Sequence, residues 1–143
     1  MFFWSVMTPF LTYRWLLLAS AVIPAVFLLV KVYRSDRLEK ESPYLILGLV
    51  ISGIISTFFA LIAERILGAF LNRAVEKGTM LYNLILYFGV VGLSEELAKY
   101  ALLKKRTWNS SEFNCQYDGV VYATAVSLGF ALWENISYVT KYG

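Results

Sequence analysis

The chain has 143 residues, of which 59% are hydrophobic, 17% aromatic and only 16% charged, with a formal net charge of +3. That composition excludes an ordinary soluble core and points to an integral membrane protein. The single cysteine, Cys115, excludes an intrachain disulfide, and the lack of histidine removes His-based zinc, haem and triad chemistry from these residues, so no metal and no cofactor is expected of them.

The pattern predicts an all-α, polytopic membrane protein built as one domain over 1–143. It has about four transmembrane helices, at 11–33, 43–63, 80–103 and 119–139, and an amphipathic interfacial helix at 64–77. The tail before Arg14 carries no basic residue, so the first span is not read as a signal peptide; Pro24 is expected to kink it. A polar loop follows, and Pro43 opens the second span. There Gly48, Ser52, Ser56 and Ala60 recur every four residues, a small-residue stripe suited to close helix packing. From Glu64 to Lys77 an apolar stripe (Ile66, Leu67, Phe70, Leu71, Ala74, Val75) opposes Arg65, Asn72, Arg73, Glu76 and Lys77. Such a segment lies on the membrane surface or prolongs the second helix.

The third span contains Glu95, Glu96 and Lys99 inside an otherwise apolar run. Three isolated charges at mid-membrane cost roughly 7–10 kcal/mol, more than the roughly 3–6 kcal/mol that about ten apolar residues return. They must neutralise one another, face the protein interior or lie near an interface. At about 100° per residue, Glu96 falls about 100° and Lys99 about 40° from Glu95, so Lys99 lies between the carboxylates and reaches either. Gly89 and Gly92 leave the same sector open to a neighbouring backbone or a substrate. After Lys104, Lys105 and Arg106 and a polar loop, the fourth span places Gly119, Ala123 and Ser127 on one face with Phe130 and Glu134, and Asn135 beside them. Glu134 is the natural partner for Lys99 or for a carboxylate of the third span.

Basic residues set the orientation. Lys31, Arg34, Arg37, Lys40, Lys104, Lys105 and Arg106 lie on one side, against Arg14, Arg65, Arg73, Lys77 and Lys141 on the other. The positive-inside rule therefore places both termini outside and the basic loops at 31–40 and 104–106 in the cytoplasm. The positive charge is topology, not nucleic-acid binding.

Glu95-Glu96-x-x-Lys99 on one hydrophobic helix, Asp118-Gly119 at the head of the next, and Phe130-x-x-x-Glu134-Asn135 along it resemble the PrsW family of intramembrane proteases, related to the wider CAAX-protease and bacteriocin-processing superfamily. The resemblance covers residues 80–138. It implies that Glu95 and Glu96 match the family's glutamate pair, one of them activating water, and that Phe130 and Glu134 match its second motif. It further implies a membrane-anchored protein substrate, such as an anti-sigma factor, cleaved in or beside the lipid bilayer. The family's histidine, carried on a further helix, has no counterpart in these residues, so a shortened or inactive form is expected.

The chemistry is consistent with the residues themselves. A cluster of Glu95, Glu96, Glu134 and Lys99 can hold one carboxylate charged as base and another protonated as acid, with Asn135 or a backbone amide as oxyanion donor. Glu96 and Glu134 are expected to carry the reaction, Lys99 to balance charge and Phe130 to pack. Two other readings compete: a small transport or binding protein that couples a proton or cation through Glu96, Glu134 and Lys99, and a purely structural interhelical ion pair.

Overall fold

Pro43 and Gly78 punctuate the apolar runs, one opening a helix in its first turn and the other reversing the chain with a φ of 85° that favours glycine. The computed structural model describes residues 2–35 and 41–142, with side chains from Tyr13 onward. Over these residues the chain is helical: α1 (Phe2–Ser35), α2 (Pro43–Ala74), α3 (Met80–Thr107) and α4 (Gln116–Tyr142). Three helical stretches, Tyr13–Ser35, Pro43–Ala74 and Met80–Thr107, are long and apolar enough to cross a membrane. The chain is thus a multi-pass membrane protein. α4 has the length to cross, but polar residues such as Thr124, Ser127, Glu134 and Asn135 interrupt its apolar surface.

Of the two expected forms of the segment at 64–77, the structure shows the prolongation of the second helix and not a separate interfacial helix. Nothing after Ala63 breaks the hydrogen-bond ladder, a lone Gly68 being too weak a stop. α2 therefore runs on to Ala74 before Val75 turns extended. Thr79 then caps α3, its hydroxyl accepting from the Tyr82 amide at 3.1 Å. The other boundaries widen: α1 begins at Phe2, α3 continues through the basic residues to Thr107, and α4 starts at Gln116. Arg37 and Lys40, half of the first predicted basic loop, lie outside the described residues.

Residues Ile85–Gly92 of α3 form a π-helical stretch, in which the Leu93 amide reaches back five residues to the Phe88 carbonyl. Such wide turns are rare and concentrate at functional sites.

The core is the α2–α4 contact. The predicted stripe Gly48, Ser52, Ser56, Ala60 is buried throughout. On α4 the buried side is Asp118, Val121, Tyr122, Ala125, Val126, Gly129 and Phe130, whereas Ser127 is exposed and Gly119 and Ala123 only partly covered. The predicted small-residue face is therefore turned aside. Its place is taken by a glycine crossing: a Cβ on Gly53 would collide with the Val126 carbonyl, and one on Gly129 with the Val50 carbonyl. The two backbones touch there because neither position has a side chain.

Beyond that crossing, toward the starts of α2 and α4, a polar clasp closes the bundle. The Tyr122 hydroxyl meets the buried Glu41 carboxyl and lies 3.1 Å from the Glu112 carbonyl oxygen. The Ser42 amide donates to Glu112 Oε2 at 3.2 Å, and the Tyr33 hydroxyl to the Glu41 carbonyl at 3.2 Å. Asp118 caps the start of α4, accepting from the Asn114 and Cys115 amides at 3.0 and 2.7 Å. Burial pushes the Glu41 carboxyl above the usual carboxylate range; the Tyr122 hydrogen bond opposes this, and the Asp118 and Glu112 charges add to it. The Arg106 guanidinium fills the space that a Cβ on Gly48 would need, which brings the end of α3 to the same end of the bundle.

Candidate functional site

The charged turn of α3 forms as its spacing predicts. Lys99 Nζ donates to Glu96 Oε1 at 2.8 Å and lies 3.7 Å from Glu95 Oε2. It also stands 4.1 Å from the centroid of the Phe130 ring on α4. That ring is buried, so Phe130 does more than pack: its face holds the ammonium between the two motif helices.

The glutamate pair splits. Glu96 is 73% exposed at its side chain and points away from the bundle, while Glu95 is 24% exposed and turns inward. Adjacent helical residues diverge by about 100°, which forces this division. Past the glycine crossing, α2 and α4 separate and leave a cavity of about 480 Å³ against α3. From α2 it is lined by Thr57, Ala60, Leu61 and Glu64; from α3 by Tyr87, Val91 and Glu95; from α4 by Phe130, Trp133, Glu134 and Ser137 among others. In a regular α-helix, residues eight apart drift by about 80°. The wider π turns keep Tyr87 and Val91 over Glu95 on one wall.

The two motifs therefore meet through Glu95 and Glu134, which share the cavity, and through Lys99, which stands behind it against the ring of the lining residue Phe130. Glu96 reaches Lys99 but does not line the cavity. Asn135 is turned to α1, where its Nδ2 donates to the Ala21 carbonyl at 3.4 Å. It holds the first helix against the fourth and leaves the oxyanion role without this donor. Sequence reasoning missed Glu64, whose place in an apparent surface segment hid that it falls one turn beyond Ala60 on the buried stripe.

Chemically, the cavity offers carboxylates from three helices, an aromatic wall and room for a few atoms of an extended chain plus water. A helix about 10 Å across with its side chains does not fit whole.

A family described as "PrsW family intramembrane metalloprotease" matches residues 41–143. The protein called Protease PrsW in Geobacillus kaustophilus (strain HTA426) is 31% identical over 127 residues, covering 89% of this chain and 53% of that protein. Protease PrsW of Bacillus subtilis (strain 168) is 28% identical over 127 residues, 89% of this chain and 55% of its own length. Protease PrsW of Oceanobacillus iheyensis is 31% identical over 128 residues, again 89% and 55%. The chain spans about half the length of the curated relatives it matches. No solved structure matches it.

Proposed function

The chain belongs to the PrsW family of intramembrane proteases, and from that premise we propose that its cavity is part of a membrane-embedded site that hydrolyses a peptide bond with Glu95 and Glu134. The observation that carries this reading is the convergence of both motif helices on one cavity, with Glu95 and Glu134 on its wall. Glu95 takes a proton from water as the water oxygen attacks the scissile carbonyl. The proton passes to the departing amine, directly or through Glu134, so that the pair divides base and acid work. Glu96 and the Phe130 ring hold Lys99 in place, and Lys99 balances the charge behind Glu95.

The family's description names a metal. Among the described residues no three His, Cys, Asp or Glu side chains are grouped to hold an ion, and the chain has no histidine. These residues do not assemble a ligand sphere by themselves, and the chemistry assigned to them is that of carboxylates.

α4 serves as a fourth span, with both termini outside and the loops at 31–40 and 104–106 in the cytoplasm. The Ser42–Glu112 hydrogen bond and the Arg106–Gly48 contact support placing those loops on one side. The substrate is a membrane-anchored regulatory protein, such as an anti-sigma factor. In the protein reconstituted with such a substrate, Glu95→Gln or Glu134→Gln should lower cleavage by about 10²–10⁴-fold without unfolding it. Glu96→Gln should cost less, because its carboxylate acts through Lys99. Undiminished cleavage by both Glu95→Gln and Glu134→Gln would overturn the assignment.

A further inference from the structure

Glu64 belongs to neither motif, yet it lies on the cavity wall facing Glu95 and Glu134, close enough for the three charges to interact. It follows Thr57 and Ala60 by seven and four residues, so a single helical stripe carries all three into the cavity. Lys99 forms ion pairs with Glu96 and Glu95. Lys99 stands behind the wall, and the cation on the wall itself is Lys141, whose Nζ stands 5.1 Å from the Tyr142 ring centroid and makes no ion pair with Glu64 or Glu134. Tyr87, Tyr138 and Tyr142 supply the remaining ionisable groups of the lining. The wall thus presents three carboxylates to one lysine, and a carboxylate without a counter-charge is expensive in a membrane.

We propose that Glu64 is a specificity residue that receives a basic side chain, Lys or Arg, of the peptide held for cleavage. Its position suits such a group. Glu64 stands ten residues before Ala74, the end of α2, or about 15 Å along the helix. A Lys or Arg near the end of a membrane span has a long apolar stem that lets its charge reach toward water. The aromatic wall of Tyr87 and Trp133 covers the apolar stem, and the Glu64 carboxylate takes the head. Substrates with an acidic residue at that position meet three like charges and are rejected.

The inference rests on the cavity being the peptide site, and two readouts separate its failure from failure of that reading. In the first, two membrane-anchored peptides differing only in Arg or Glu beside the scissile bond are given to the protein in liposomes. The Arg peptide should be cleaved with about tenfold higher kcat/KM. Glu64→Gln should bring the ratio close to one, and Glu64→Lys should invert it. In the second, binding of the same fluorescent peptides to this chain in nanodiscs is measured, which needs no turnover; the same preference and the same inversion should appear. Charge-selective binding without cleavage would sink the protease reading and leave Glu64 standing. Cleavage with an Arg-to-Glu ratio unmoved by Glu64→Lys, in a variant that melts like the parent, would overturn the role of Glu64.

Discussion

Between Leu49 and Ser56, α2 lies against α4 so closely that only glycine fits at the points of contact, and the side chains on both faces are almost fully buried. Two turns further on, at Glu64 and Glu134, the same two helices stand apart around a cavity that α3 closes with Glu95. One pair of helices therefore supplies both a rigid seam and an open chamber. The seam spends its polar groups on one another, as in the Glu41–Tyr122–Glu112 clasp. The chamber leaves carboxylates on its wall, which is costly in a membrane unless water or a substrate meets them. Close packing at one end fixes the geometry of the carboxylates at the other, which the proposed site requires.

The contrast is broken most severely at the glycine crossing. Gly129→Val, or Gly53→Val, drives a side chain into a backbone carbonyl that cannot step aside, and should destabilise the protein by at least about 3 kcal/mol, visible as a large drop in Tm in detergent. Gly68→Ala, on the same helix but with nothing within 4 Å, should leave Tm unchanged or raise it slightly. If the two substitutions behave alike, the helices do not cross where the glycines meet.

A smaller effect is expected at the boundary between seam and chamber. Lys99→Met removes a lysine that is 15% exposed and shared by an inward and an outward carboxylate. A loss of about 1–2 kcal/mol is expected, between the values for exposed and buried pairs. Adding Glu95→Gln should recover part of it. Strictly additive losses in the double variant would show that Lys99 and Glu95 do not interact.

The smallest effect is on the clasp. The Glu41 carboxyl titrates higher in the folded protein than in the unfolded chain, where its value is near 4.5. Its contribution is complete below that value and is lost as pH rises through the higher folded one. Stability should therefore decline with rising pH across that window, and Glu41→Gln should flatten the decline. Thermal melts at a series of pH values would show it; an unchanged slope in the variant would contradict the assignment.

Local regularities were legible in the sequence, and contacts between distant segments were not. The four-residue repeat from Gly48 to Ala60 announced a packing face because its periodicity lies within one helix. Lys99 was correctly set between Glu95 and Glu96 for the same reason. Gly53 and Gly129 escaped notice because each matters only through the other helix's backbone, and the Glu41–Tyr122 bond joins residues 81 apart. Glu64 was hidden by the apolar stripe after it, since a lipid-facing helix surface and an interfacial amphipathic helix carry similar patterns. The π-helical stretch, which breaks the constant angle per residue, explains why reckoning upstream of Leu93 does not reproduce the cavity wall.

The central claim, that the chamber admits water within the membrane while the seam excludes it, is tested most directly by thiol accessibility. With Cys115 replaced by Ser, single cysteines would be placed in the chamber (Ser137→Cys, Leu61→Cys), in the seam (Ser56→Cys, Ala125→Cys) and on an exposed face outside the cavity (Phe59→Cys). Each would be exposed, in intact membranes, to a water-soluble thiol reagent. The chamber cysteines should react while seam and outer-face cysteines stay unlabelled. Chamber cysteines as inert as Phe59→Cys would mean that no water reaches Glu95 and Glu134, and would contradict the account.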